Sequence, residues 1–398
     1  MKHTVTNSYL ATAASVALLV LGSSACQTPN YGRPLDAGAP ALVRVDIASL
    51  ELPISYQWEE RDEILPALER SIAWTRRKHA EQFFPIAGVE HSLALASLER
   101  FHQILDESFD RDDFERAIYE EFDAFKSAGW DSKGGGVLFT GYCTPLLIGN
   151  LTRTERYNIP LYSKPPGLVK DKRGKTLGLE TDRGLDRFPS RRSIDGNGLF
   201  ENQGLELAWL EDPIDAYIAH VNGSAFVELP NGEQIKLGYS AKNGRPYSSL
   251  GKHLIEAGYV PAEDMNLSAI RNWAEETPDH SVSELLNRNQ SYVFFQPIEG
   301  NPHGSLDVEV TAGRSLATDK SLFPRGALVF VDSEVPNVYG RSIRFQQFMF
   351  DQDTGGAIRT AGRADIYLGI GPDAEAQAGG LQSPGQLYYF FLKHLPTE

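Results

Sequence analysis

Cysteine, positive charge and long apolar runs are all scarce in this 398-residue chain, and each shortage closes off a class of protein. Two cysteines, Cys26 and Cys143, cannot build a disulfide framework or a four-ligand cysteine zinc site. Against 53 Asp and Glu stand 38 Lys and Arg, a net charge of −15, so the global field repels nucleic acid phosphates and no nucleic-acid partner is expected. The apolar run from Leu10 to Gly22 falls short of the roughly 20 residues that span a bilayer. Common catalytic signatures are missing too. None of the nine histidines forms a His-x-x-x-His pair, and neither a Gly-x-Ser-x-Gly nucleophile elbow nor a Gly-rich phosphate loop ending in Lys occurs. No metal and no cofactor is expected.

What is present reads as globular, strand-rich and exported. Apolar content of 41%, 36 Gly and 23 Pro suit a folded chain full of turns, and the length suits two or three domains. Lys2 and His3 precede the apolar run, and Ser23, Ser24 and Ala25 lead to Cys26, the pattern of an export signal over residues 1–25. A small residue before a cysteine resembles a bacterial lipoprotein cleavage site. Cys26 would then carry lipid, residues 26–44 would be a Pro- and Gly-rich tether, and the protein would be periplasmic on the outer membrane. Ser23 stands where such sites usually have an apolar residue, so ordinary cleavage after Ala25 is the competing reading.

Between Glu60 and Phe125, Leu65, Leu68, Ile72 and Trp74, then Leu95, Leu98, Phe101, Ile104 and Leu105, recur at helical spacing and predict two or three amphipathic helices. After Gly134-Gly135-Gly136 short β-rich runs take over. A locally basic stretch, Lys170 to Gln203, reads as a solvated loop or a surface that assists an acidic polymer. Leu205, Leu207, Trp209 and Leu210 predict a helix running on to Ala219, and further helices are expected over 250–257 and 267–276. In the last hundred residues only strands and turns are expected, including one through Leu306, Val308 and Val310.

Two carboxylates stand out. Asp353 opens the glycine-rich turn Asp353-Thr354-Gly355-Gly356-Ala357, and twelve positions later Asp365 lies inside the apolar run Arg363-Ala364-Asp365-Ile366-Tyr367-Leu368. Asp disfavours strands and is costly to bury. It either caps a turn, pairs with Arg363, or is an acid whose pKa is raised so that it can donate a proton near neutral pH. An aspartic-protease reading of Asp-Thr-Gly needs a second such motif, which the chain lacks.

Ordered blocks from about Ala67 to Phe391 carry a resemblance. They include Phe139-Thr140-Gly141-Tyr142-Cys143-Thr144-Pro145, Leu205-Glu206-Leu207-Ala208-Trp209, Asn222-Gly223-Ser224, Asn243-Gly244-Arg245-Pro246-Tyr247, Ala312-Gly313-Arg314-Ser315 and the two Asp motifs above. In these the chain resembles the membrane-bound lytic transglycosylase A family of murein-cleaving enzymes. The resemblance implies a mainly β fold with peripheral helices. Residues 45–146 and 303–398 would form a double-psi β-barrel domain with the N-terminal helices, and 147–302 an inserted β-rich domain. It implies Asp365 as the catalytic residue, with Tyr142, Thr144, Asn222, Gly223, Ser224 and Asp353 in motifs that line a substrate groove. Cys143 stands where relatives usually carry a second Tyr, and Asn222 where Gln is common. The implied partners are peptidoglycan glycan strands and, through Cys26, a membrane, for a monomeric protein.

The implied reaction splits the MurNAc–GlcNAc β-1,4 bond without water, giving 1,6-anhydro-MurNAc ends. Because the attacking hydroxyl belongs to the substrate, one carboxyl suffices where hydrolases use two. The rival readings are a non-cleaving glycan-binding or remodelling protein and a hydrolytic muramidase using an Asp365–Asp353 pair.

Overall fold

Residues 28–172 and 174–393 are described by the computed structural model. After β1 (Leu42–Val45), three helices prepare one face of the fold: α1 (Arg61–Thr75), α2 (His91–Glu107) and α3 (Arg111–Glu121). Each turns an apolar stripe inward, with Ile64, Leu68 and Ile72 on α1, Leu98, Phe101 and Leu105 on α2, and Phe114 and Ile118 on α3. The Asp110 side chain starts α3 by accepting from the backbone N–H groups of Asp112 and Asp113. β2 (Phe122–Ser127) and β3 (Val137–Thr144) follow.

After Pro145 the chain leaves for a second sheet. It consists of β4 (Leu146–Asn150), β5 (Ile159–Tyr162), β9 (Glu206–Leu210), β10 (Ala225–Glu228), β11 (Gln234–Lys242) and β12 (Val293–Pro297), in the order β12-β11-β10-β4-β9-β5. A small three-stranded sheet, β6 (Leu168–Lys170), β7 (Thr176–Thr181) and β8 (Gly184–Asp186), lies between β5 and β9 in the chain. Helices α4 (Pro213–Asn222), α5 (Leu250–Glu256), α6 (Leu267–Glu275) and α7 (Asp279–Leu286) share a core of Ile214, Tyr217, Leu254, Trp273 and Leu285.

The chain then returns as β13 (Ser315–Ala317), β14 (Leu328–Pro336), β15 (Ser342–Asp353), β16 (Arg363–Ile370), helix α8 (Pro372–Gly380) and β17 (Gln382–Leu392). β3 pairs with both β16 and β17, so the run β17-β14-β15-β13-β16-β3 closes on itself as a six-stranded barrel. Two parallel pairs (β13 with β15, β16 with β3) are mixed with four antiparallel ones. Its strands are apolar on both sides because both sides are covered. On β14, Leu328 and Phe330 meet the helices while Val329 and Val331 fill the other core; on β17, Tyr388 and Phe390 do the first and Leu387 and Tyr389 the second. The fully buried Gln352 ties α1 to the barrel, donating to Ala67 O at 2.7 Å and Ser71 Oγ at 2.9 Å while accepting from Ser315 Oγ at 2.6 Å.

Three expectations are corrected. The helix predicted from Leu205 to Ala219 is two elements: Glu206–Leu210 is a strand whose Ala208 and Leu210 are fully buried, and the helix begins only at Pro213, capped by Asp212 accepting from Ile214 N at 2.7 Å. Alternating apolar residues carried the strand signal. Leu306 and Val308 lie in a looped segment rather than a strand, buried against Trp74. Helix α8 was not expected in the last hundred residues, since Ala and Gly give it no apolar stripe. It docks by close approach instead: a Cβ on Gly141 would lie 2.7 Å from Ala378 Cα.

Barrel closure leaves no room at Gly385, where an added Cβ would meet Asp332 O at 2.4 Å and Ser333 Cβ at 2.7 Å. Gly385→Ala is expected to cost about 1–3 kcal/mol of stability, read as a lower urea midpoint; an unchanged midpoint would show that the closure accommodates a side chain.

Candidate active site

Strand β16 places an acid in the wall of the barrel. It lies between β13, where Ala317 faces Asp365, and β3, where Thr140 faces Asp365. Alternation along the strand sends Ala364 and Ile366 into the core and Asp365 to the opposite face, where its side chain is 19% exposed. Thr140 Oγ1 donates to Asp365 Oδ1, and Arg363 Nη2 stands 3.7 Å from the same oxygen and donates to Thr140 Oγ1 at 3.1 Å. Burial pushes the Asp365 carboxyl above its ordinary range, opposed by the Arg363 charge and the Thr140 hydrogen bond.

The same face continues one residue pair further. Tyr142 and Tyr367 are register partners with ring centroids 5.1 Å apart. The buried hydroxyl of Tyr142 makes no hydrogen bond of normal geometry among the described residues but lies within reach of the Asp353 carboxyl, and the charges of Asp353 and Asp365 both bear on it. Burial first, and those carboxylates second, hold its phenol proton far above the usual range. Beyond it Thr144 Oγ1 bridges Tyr367 Oη at 3.1 Å and Ser224 Oγ at 3.0 Å. Thr144 and Ser224 are therefore buried braces between barrel and second sheet.

Asn222, Gly223 and Ser224 sit where α4 ends. Gly223 takes the left-handed conformation, φ 78°, that such a helix end requires, and its N–H donates to Ala219 O at 2.8 Å. The Asn222 side chain donates to Ile218 O at 3.1 Å and accepts from Cys143 N at 3.4 Å, reaching across to β3. Cys143 itself points away from this face into a buried setting that pushes its thiol up to about 12.

Asp353 ends β15. Its Oδ1 accepts from the backbone N–H groups of Ser305 and Thr354, both at 2.7 Å, so it caps the glycine turn. Burial raises its pKa and the two backbone donors work against that rise. The turn passes over the acid: a Cβ on Gly355 would lie 3.9 Å from Asp365 Oδ2, and one on Gly356 would lie 3.5 Å from Tyr247 Cβ. The two carboxylates thus have different surroundings. Asp353 is held by main-chain donors, whereas Asp365 has a hydroxyl and a more distant guanidinium.

Asp365, Tyr142, Thr144, Asn222, Gly223, Ser224 and Asp353 are all brought to this junction; Cys26 lies outside the described residues. Arg363, named from the sequence as a pairing partner of Asp365, does stand beside it. Sequence reasoning did not single out Thr140, Tyr247 or Tyr367; strand alternation could have found Tyr367, two residues from Asp365. Tyr247 comes from the second sheet's side and carried no such signal.

Comparison with known proteins gives a consistent set of likenesses. Residues 138–296 match the family model of the MltA specific insert domain, and 314–391 match that of the 3D domain. The chain is 35% identical over 272 residues to membrane-bound lytic murein transglycosylase A of Escherichia coli K12, covering 67% of this chain and 68% of that protein. It is 33% identical over 274 residues to the protein of that name from Vibrio cholerae, covering 68% and 69%. Among solved structures it resembles E. coli MltA with bound chitohexaose, with TM-score 0.67 and 26% identity over 92% of this chain and 96% of that one.

A raised native pKa has a thermodynamic consequence. The folded protein binds the Asp365 proton more tightly than the unfolded chain, so this group's contribution to stability falls as pH climbs from its ordinary value, 3.8, through the native one. Asp365→Asn, neutral throughout, is expected to melt above the parent at neutral pH, the gap closing at about pH 4 and below. Parallel melting curves for the two proteins would rule out a buried, proton-holding carboxyl.

Proposed function

Because the chain belongs to the membrane-bound lytic murein transglycosylase A family, we propose that Asp365 is the single acid and base with which it cleaves peptidoglycan. The protein is a lytic murein transglycosylase, an enzyme that breaks the β-1,4 bond between MurNAc and GlcNAc. The observation that carries the assignment is a carboxyl set in mid-strand, facing the junction of two sheets, with burial raising its pKa.

Protonated Asp365 donates to the glycosidic oxygen as positive charge develops at the muramic C1. The carboxylate left behind takes the proton of the same sugar's 6-hydroxyl, whose oxygen bonds to C1. Asp365 ends protonated, the product ends in a 1,6-anhydro ring, and no water is consumed. Proton transfer of this kind supplies about 10²- to 10⁴-fold in rate; binding and preorganised polar groups supply the rest. Asp353 suits the hydrolytic partner role less well, since its Oδ1 already serves two backbone donors. Tyr142, Asn222, Gly223 and Asp353 line the substrate groove, and Thr144 and Ser224 support it from behind.

The domain assignment belongs to the same reading. The barrel is of the double-psi kind, built from 45–146 and 303–398, with 147–302 inserted; the mixed parallel and antiparallel closure and the second sheet between β3 and β13 support this. Export, a lipid on Cys26, outer-membrane attachment and a monomeric state complete it, with the tether expected over 26–44 ending earlier, since Leu42–Val45 already pairs with β2 as β1. Residues 1–27 lie outside the described residues, and the anchor rests on their sequence and on relatives named as membrane-bound.

Asp365→Asn is expected to cut murein turnover by at least ~10²-fold while leaving the fold intact. Cleavage by the parent in heavy-oxygen water should release anhydro-muropeptides free of label, and labelled reducing ends as the main product would establish hydrolysis instead. Thr140→Val removes a donor that favours the Asp365 anion. The acid then keeps its proton to higher pH, and the alkaline limb of the pH–rate profile should move upward; a downward shift would contradict the assignment.

A further inference from the structure

The chain carries a net charge of −15, yet one lip of the cleft gathers cations. On β6, Lys170 donates to Ser240 O at 2.8 Å and places its ammonium 6.0 Å from the Tyr239 ring centroid. Tyr239 is 42% exposed, and its Cδ2 lies 4.0 Å from where a Cβ on Gly223 would be. Two residues after Ser240 comes Lys242, half-buried at the end of β11, whose carbonyl accepts from Thr176 Oγ1 at 2.5 Å. Arg245 follows, fixed by its Nε donating to Phe188 O at 2.5 Å and its N–H to Asn243 Oδ1 at 3.2 Å. On the barrel side Arg359, exposed three residues beyond Gly356, lies near enough for its charge to act on Lys242.

The neighbours of these cations are other cations. Lys164 stands beside Lys170, Arg359 beside Lys242 and Arg187 beside Arg245, and burial together with the like charge lowers the pKa of Lys170, Lys242 and Arg245. Among the described residues no carboxylate offsets those shifts. Elsewhere in this chain half-buried arginines are matched with acids: Arg70 with Glu309 at 2.6 Å, and Arg271 with Asp215 and Glu375 at 2.7 Å each. A cation row that only stabilised the fold would be paired in the same way. Converging like charges at a cleft are stabilised by an anion that arrives from outside.

The row runs beside the reacting position. Its second-sheet end meets Tyr239 and Gly223, and its barrel end joins the Gly355–Gly356 turn that covers Asp365. Of the two sugars in a murein strand only muramic acid carries carboxylates, on its lactyl arm or on the peptide attached there. We propose that Lys170, Lys242, Arg245 and Arg359 bind the carboxylates of the muramyl side arm, so that the strand is gripped by its side arms as well as by its sugars. This rests on the murein-cleaving reading above.

Binding to the full chain carrying Asp365→Asn tests it without turnover, using three fluorescent oligosaccharides of equal length. One is a neutral N-acetylglucosamine oligomer, one a peptide-stripped glycan with free lactyl carboxylates, and one a peptide-bearing glycan. The charged glycans are expected to bind about tenfold more tightly than the neutral oligomer at low salt, a preference that shrinks at high salt as the charges are screened. Added Lys170→Gln, Lys242→Gln and Arg359→Gln substitutions should narrow it to within about twofold. A peptide-bearing glycan that binds best places recognition on the peptide; equal binding of both charged glycans places it on the lactyl arm. Equal affinity for all three, or a preference that survives both salt and substitution, overturns the proposal. Release of anhydro ends by the unsubstituted protein is scored separately, so failure of the cleavage reading is distinguishable from failure of this one.

Discussion

The site depends on the register of β16 between β13 and β3. One residue of slip would exchange the two faces of the strand, sending Asp365 into the apolar core and Ile366 to the cleft. Burying an unpaired carboxylate there would cost several kcal/mol, so the apolar neighbours Ala364 and Ile366 enforce the position of the acid as firmly as any direct contact. Closure of the barrel through β17 and β3 fixes the same register from the other side.

Several of the ties between the second sheet and that wall lie close to the acid. Strand β3 passes through Pro145 directly into β4, and Phe226 N donates to Pro145 O at 2.9 Å. The chain Tyr367–Thr144–Ser224 and the Asn222 contact with Cys143 N cross the same seam. Further out, Arg271 on α6 bridges Asp215 on α4 and Glu375 on α8 at 2.7 Å each. Such charge-assisted bonds orient the two sheets without filling the space between them, which leaves a cleft at a domain junction where ligands commonly bind.

Electrostatics divide the labour between the two prominent aspartates. Both are desolvated, yet Asp353 meets two main-chain donors and serves as the hinge pin of the glycine turn. Asp365 has a lone hydroxyl and a guanidinium at 3.7 Å, too little to offset burial in full. The same residue type is thus a brace in one place and a proton carrier twelve residues later, with surroundings deciding which.

Much of this was legible in the chain itself. Helical spacing announced α1 and α2 and allowed for a third helix, since apolar stripes answer to a period that packing cannot disguise. Asp365 was conspicuous because a charge inside an apolar strand demands a reason. Alternation was misread at Leu205–Leu210, where a strand buried on one face and a capped helix follow in ten residues, and α8 was invisible because it packs by small residues rather than a stripe. Only the tertiary structure brought Thr140, Tyr247 and Asp365 together from distant parts of the chain. Local sequence sets period, polarity and turn chemistry, but which strand lies beside which is settled by barrel closure, a long-range contact that no local pattern encodes.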